Sequence, residues 1–386
     1  MDEVANPYSP GAGMRPAALV GREDEQRRWD IALRRLQAAR NARSVVLYGL
    51  RGVGKTVLLT DFARTAAAHG WIAVRAEAGA GKTLRELLGE GMHPFLADLA
   101  RPNAGARIRK ALKTALSFKA SYDTSGVWNF GIDLSEQPGG GADTGVLETD
   151  IAKITMDVSA AADNGLAILI DEAQDLRKEE LAVIAATVHR ANQDGWPLLV
   201  ALAGLPSLPG LLAQAKSYSE RLWTFERIDT LDAERTQAAI VEPARDEGVL
   251  WEPAAVAEVV RESSGYPYFI QQFGQQAWNA ATSSPIGLTE ARIGIATGLQ
   301  LLDNGFFRTR WDRASVAERA FLRAMAADGD ASCEISAVAK RLAKKTTTLG
   351  PVRASLIRKG LIFAPEHGVV AFTVPHMPAF ISRQTP

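Results

Sequence analysis

Gly49-Leu50-Arg51-Gly52-Val53-Gly54-Lys55-Thr56 is the stretch on which the reading of this 386-residue chain turns. It satisfies G-x-x-x-x-G-K-[ST] in full. It also stands between a short apolar run, Ser44 to Tyr48, and a segment of helical periodicity from Thr56 to His69. Glycines let the backbone curl around a polyphosphate, so that successive N–H groups and the helix N-terminus face its oxygens. Lys55 then directs charge toward the β- and γ-phosphates, and Thr56 offers a hydroxyl to magnesium. The sequence predicts a phosphate cradle made by all eight residues.

About 115 residues after Lys55, the run Leu166-Ala167-Ile168-Leu169-Ile170 ends in Asp171-Glu172. A buried strand ending in two carboxylates beside such a loop is what metal-assisted phosphoryl transfer requires. Asp171 is expected to hold magnesium, and Glu172 to orient or deprotonate the attacking water. A second loop, Ala76-Glu77-Ala78-Gly79-Ala80-Gly81-Lys82-Thr83, meets only a relaxed form of the pattern and has no acidic partner of its own. It reads as a surface turn, with a phosphate site at Lys82 and Thr83 as the competing reading.

Working outward, further apolar runs at Trp71–Ala76, Leu198–Ala203 and Leu222–Ile228 alternate with helical patterns. Strands separated by helices argue for right-handed crossovers and a mostly parallel sheet. Roughly ninety residues separate the second and third strands, more than one crossover needs. This insertion, about 80–146, contains a basic helix candidate (Arg107, Arg109, Lys110, Lys113, Lys119) and a glycine-rich stretch after Pro138. Residues 1–20 read as an extended arm, and Thr230 to about Asn304 as helical throughout.

Forty-four basic residues balance forty-four acidic ones, which excludes a uniformly cationic nucleic-acid coat. Hydrophobic residues make up 47% and charged ones 23%, ample for a core. A single cysteine, Cys333, allows no internal disulfide and no thiolate cluster. The N-terminus lacks a secretory pattern, and no apolar stretch is long enough to span a bilayer. The expectation is a cytoplasmic protein without a membrane partner. The five histidines show no metal-ligand spacing, and no nucleophile elbow is present.

With these motifs in place the chain resembles the AAA+/STAND branch of P-loop ATPases. It looks most like ORC-type and archaeal-type ATPases that carry a C-terminal winged helix. The resemblance implies an α/β P-loop NTPase core of ASCE/AAA+ type (21–229) with a five-stranded parallel sheet ordered 5-1-4-3-2, a helical lid (230–308) and a winged-helix domain (309–386). It implies ATP and Mg2+ as cofactors. Val20-Gly21-Arg22 is similar to the segment that lines the adenine pocket in the family, while a helix start explains it equally well. Arg221 stands where family members place an arginine that reaches a neighbouring subunit's γ-phosphate, which implies a homo-oligomer; a solvated helix-end arginine is the competing reading. Two departures stand out. Val200-Ala201-Leu202-Ala203-Gly204 has no polar side chain at the strand end. Gly265-Tyr266-Pro267-Tyr268 has tyrosine where many relatives have a sensing arginine. Both suggest slow, switch-like turnover.

From Arg313 onward eleven basic residues face five acidic ones. Three helix patterns (Ala314–Ala327, Ser336–Leu342, Thr346–Lys359) and a hairpin follow in winged-helix order. Lys344, Lys345, Thr347, Arg353 and Arg358 are the candidate DNA contacts, with Gly350-Pro351 expected to shorten or bend the third helix. The leading expectation is an ATPase switch coupled to DNA binding or assembly. The alternatives are a signalling or defence switch that docks protein partners and a nucleotide-binding scaffold with little hydrolysis.

Overall fold

Five apolar segments pair in parallel to make the central sheet: β1 (Ser44–Tyr48), β2 (Ile72–Glu77), β3 (Leu166–Asp171), β4 (Leu198–Gly204) and β5 (Trp223–Arg227). Their order is β2-β3-β4-β1-β5, the expected one. The computed structural model describes residues 1–11, 13–79, 81–99, 120–122, 128–130, 147–153, 155–156 and 164–384. Every residue of β4 is buried, and all of β3 except Asp171. Central parallel strands have no solvent face, so unbroken Val/Leu/Ile/Ala runs are what they require. Register places Glu77 opposite Asp171, so two carboxylates end neighbouring strands.

The described chain divides into two compact units. One comprises Arg22–Gly49 and Lys55–Arg227; the other comprises Met1–Gly21, Leu50–Gly54 and Ile228–Pro386. In the sheet unit, α2 (Lys55–Ala68) packs across β2, β3 and β4. Trp29 of α1 (Glu23–Gln37) stacks on Phe62 of α2 at 4.8 Å, with interplanar angle 4°. The crossover from β3 to β4 uses α4 (Lys178–Asp194), and α3 (Leu84–Leu99) follows β2. Of the insertion, the structure also describes a hairpin pairing Ala120–Tyr122 with Trp128–Phe130. Arg107, Arg109, Lys110, Lys113, Lys119 and the glycine-rich stretch lie outside the described residues.

In the other unit, α7 (Ala233–Asp246), α8 (Pro253–Ser263), α9 (Pro267–Ala280) and α10 (Leu288–Leu302) form the helical segment. An isolated bridge, Trp251 to Ile286, interrupts the all-helical pattern expected there. The N-terminal residues are extended but not loose. Tyr8 is buried, its hydroxyl donating to the Ile240 carbonyl and accepting from Trp251 Nε1.

The C-terminal segment runs α12 (Val316–Ala326), β6 (Cys333–Glu334), α13 (Ile335–Arg341), α14 (Thr346–Arg358), β7 (Ile362–Phe363), β8 (Val369–Phe372) and α15 (Met377–Ser382). The hairpin expected here is a three-stranded antiparallel sheet, because β8 pairs with β6 as well as β7. Of the expectation that Gly350-Pro351 would shorten or bend the third helix, the shortening is corrected. That helix, α14, continues through Pro351 to Arg358. The bond Pro351 cannot donate would have gone to the carbonyl of Thr347, an exposed residue in the first turn where water can replace it.

Candidate nucleotide site

The phosphate motif bridges the end of β1 and the start of α2. The Gly49 N–H donates to the Gly204 carbonyl at 3.2 Å, tying the start of the loop to the end of β4. Lys55, only 8% exposed, donates from Nζ back to the Gly49 carbonyl at 3.0 Å. A buried ammonium beside a loop of backbone N–H groups suits an anion. Thr56 is the second residue of α2, where the helix N-terminus favours negative charge. Gly52 and Gly54 take φ of +81° and +98°, the left-handed region that glycine adopts without penalty. A Cβ built on Gly54 meets no atom within 4 Å, so open space adjoins the loop there. The cradle fits a phosphate group.

β3 delivers the acidic pair. Asp171 is its last residue, and Asp171 Oδ1 accepts from the Glu172 N–H at 2.8 Å. Glu172 adopts φ 48°, ψ 35°, an uncommon conformation for a non-glycine residue that turns the chain into the short 3-10 turn Ala173–Asp175. Such strain is often stored at functional sites. A hydroxyl at Thr56 and a carboxylate at Asp171 are hard oxygen donors of the type Mg2+ takes from proteins, with phosphates and water completing its shell. The donor set therefore fits that ion.

Gln174 was not among the expected site residues. Its Nε2 donates to Glu172 Oε2 at 2.6 Å, and its Oε1 accepts from the Leu205 N–H at 2.9 Å. Gly204 makes room for it, since a Cβ there would lie 2.7 Å from Gln174 Oε1. The apolar end of β4 thus has a polar partner after all, supplied by the neighbouring strand's turn rather than by β4 itself. In sequence the only signal was an amide two residues after a carboxylate.

The other expected residues are placed as follows. Val20 and Gly21 precede α1, and Arg22 is its buried N-cap residue. Arg221 is exposed on the single turn α6 (Ser219–Leu222) that leads into β5. Leu50, Arg51, Gly52 and Val53 group with the helical and C-terminal unit, where the Tyr266 ring lies against Gly52. Tyr268 stacks on Phe306 at 5.2 Å. In the second loop, Lys82 is paired with Glu90 through both oxygens at 2.8 Å, and Thr83 binds Glu86. Its charge is already neutralised within the protein. Lys344, Lys345, Thr347 and Arg358 are exposed at the two ends of α14, and Arg353 is partly buried. Lys359, next to them, is engaged by Glu318 at 2.7 Å and by the Arg313 carbonyl. Among the described residues no group of three or more His, Cys, Asp or Glu could hold a metal ion.

Residues 18–201 match the AAA ATPase domain family, and residues 304–381 match a domain of unknown function, DUF8462. No curated protein matches the chain. The Walker-type ATPase PABY2304 of Pyrococcus abyssi is similar in structure, with a TM-score of 0.61 at 18% identity over 95% of this chain and 97% of that one. The RuvB Holliday junction branch migration motor of Thermotoga maritima gives 0.48 at 15% over 97% and 100%, and Cdc6p of Pyrobaculum aerophilum gives 0.45 at 12% over 99% and 97%. The five-stranded parallel sheet with its loop and flanking helices is the α/β P-loop NTPase fold of AAA type. No described helix is long and apolar enough to cross a membrane.

Proposed function

We propose that this chain binds ATP with Mg2+ and hydrolyses it slowly, as a switch whose state is passed to its C-terminal domain. The observation that carries the reading is the buried Lys55 ammonium, held on the Gly49 carbonyl beside an open glycine cradle. The match of residues 18–201 to an AAA ATPase domain supports it. When bound, Mg2+ neutralises phosphate charge. Lys55 gives up its carbonyl for phosphate oxygens, and Thr56 and Asp171 are the residues that would hold the ion. Glu172, steadied by Gln174, accepts a proton from the attacking water. Arg221, exposed on its turn, would reach the nucleotide of a second copy of the chain. Slow turnover follows if Arg221 acts only on assembly.

The division of the chain that goes with this reading is a core at 21–229, a lid at 230–308 and a winged helix at 309–386. The helix and strand order of the last segment supports a winged helix, with α14 as its recognition helix. Lys344, Lys345, Thr347, Arg353 and Arg358 are then the DNA contacts. The exposed lysines just before α14 support phosphate-driven binding.

Calorimetry with ATP tests the first half. The unmodified chain is expected to bind ATP, Lys55→Ala to bind none, and Glu172→Gln to bind normally while losing turnover by at least about 100-fold. An unmodified chain that releases no heat with ATP or GTP would overturn the reading. Gel shifts test the second half. If no DNA is bound at low salt with ATP present, the C-terminal domain docks a protein instead.

A further inference from the structure

Between α1, the start of β1, β5 and Phe62 of α2 lies a pocket of about 380 Å³, within the range that small ligands occupy. Its floor is apolar, formed by the stacked rings of Trp29 and Phe62 together with Val45. Ala32 of α1 and Ala42 ahead of β1 line it with single methyl groups, so the chain itself does little to fill it. None of the lining residues belongs to the phosphate loop or to the acidic turn, and all of them lie in the sheet unit.

The two ends of the pocket differ in charge. At one end stands Glu226 of β5, its side chain only 15% exposed. Arg28 holds it with two bonds, from Nε to Oε1 at 2.7 Å and from Nη2 to Oε2 at 2.9 Å. The same guanidinium lies 3.7 Å from Glu25. Two carboxylates already share this arginine, and burial pushes the Glu226 carboxyl above its ordinary value. A further acid has no place there.

Register fixes the other end. Thr224 pairs with Val45 and Glu226 with Leu47, and two strand residues span about 7 Å. Arg43, two residues before Val45, therefore stands at the end away from Glu226. Arg35 comes to the same end, its Nε donating to the Asn41 carbonyl at 3.0 Å. Among the described residues no carboxylate pairs with Arg35 or Arg43. The pocket thus has a neutralised end, an aromatic floor and a cationic end.

We infer that this pocket binds a small aromatic carboxylate, with its ring against the Trp29–Phe62 floor and its acid group at Arg35 and Arg43. A flat ring matches the apolar floor, and a guanidinium matches a carboxylate in shape as well as charge. The floor offers nothing to a strongly hydrated ion such as free phosphate, and the two arginines repel a cation. The inference does not depend on the proposed ATP binding.

The test titrates the full chain by calorimetry with 2-naphthoate, and with 2-naphthylmethylamine as its cationic counterpart. The unmodified chain is expected to bind 2-naphthoate with a Kd of about 1 mM or tighter, and the amine at least about tenfold more weakly. Arg35→Gln/Arg43→Gln alters two exposed side chains and should weaken 2-naphthoate at least about fivefold. Ala32→Trp should fill the pocket and abolish binding. Lys55→Ala should bind 2-naphthoate as the unmodified chain does, which separates this pocket from the nucleotide site. No saturable binding to the unmodified chain overturns the inference, and so does equal affinity for the amine. Affinity within about twofold of the unmodified chain in the double arginine variant, or in a folded Ala32→Trp, also overturns it, since the probe then sits elsewhere. If Ala32→Trp does not fold, the double variant decides. A chain that takes 2-naphthoate but no ATP would sink the proposed function and leave this pocket standing.

Discussion

Gln174 links the acidic turn to the end of β4 with two short hydrogen bonds, one to the Glu172 carboxylate and one from the Leu205 N–H. Gln174→Ala removes one partner of the Glu172 carboxylate and the acceptor of the Leu205 N–H. Turnover should fall about tenfold, which corresponds to about 1.4 kcal/mol of barrier, while ATP affinity is unchanged. Steady-state kinetics alongside calorimetry check that split. Gly52 offers a second residue-scale test. Its φ of +81° and the 2.8 Å approach of a Cβ to Tyr266 leave no room for alanine. Gly52→Ala should cost about 1–3 kcal/mol of folding stability, read from denaturant melts, and should weaken ATP binding as well. The Lys-Thr pairing in the phosphate motif is legible from spacing because its residues are consecutive. Gln174 was not legible as a partner of the acidic turn. Its second bond depends on Leu205, about 30 residues away, and no local pattern records that.

Within single elements, side-chain caps set the starts of α7 and α12. α12 starts with a capping box: Ser315 accepts from the Glu318 N–H, and Glu318 accepts from the Ser315 N–H. Glu318 is 4% exposed and also receives Lys359 Nζ at 2.7 Å. Burial alone would push its carboxyl up. Hydrogen bonds from Lys359, the Ser315 backbone and hydroxyl, and Ser355 outweigh that and hold it at about 2, against an ordinary 4.5. Its stabilisation is therefore fully present above about pH 4.5 and is lost as pH falls toward 2. Glu318→Gln should destabilise the chain at pH 7 by about 1–3 kcal/mol, and by less at pH 3, in chemical denaturation. A pH-independent loss would show that packing, not charge, is what the variant removes. The helix patterns around this box were readable from periodicity. The two-residue strand β6 was not, because Cys333 and Glu334 are too few to show alternation and are a strand only through pairing with Val369 and Val370.

At the scale of the whole molecule, the proposed coupling joins nucleotide state to a basic C-terminal surface. Lys344→Glu/Lys345→Glu should weaken DNA binding uniformly across sequences and reduce the salt slope by about 2, the counterions of two phosphate contacts, in gel shifts at graded salt. Arg221→Ala should leave ATP affinity unchanged and remove any concentration dependence of turnover. A measured mass that does not change with ATP, together with unaltered kinetics, would remove Arg221 from the mechanism. The sequence by itself determined the P-loop, the acidic strand end and the helix patterns of the C-terminal segment, since each is written in consecutive residues or in a fixed period; the strand order came with the family resemblance. Only the tertiary structure decided that Gln174 binds Glu172, that Lys82 is already paired, that Pro351 sits inside an unbroken helix, and that the Tyr266 ring lies against Gly52. These outcomes depend on which distant side chains share a buried volume. That is set by the packing of the folded chain, where an unpaired charge or hydroxyl has an energetic meaning it lacks in the linear sequence.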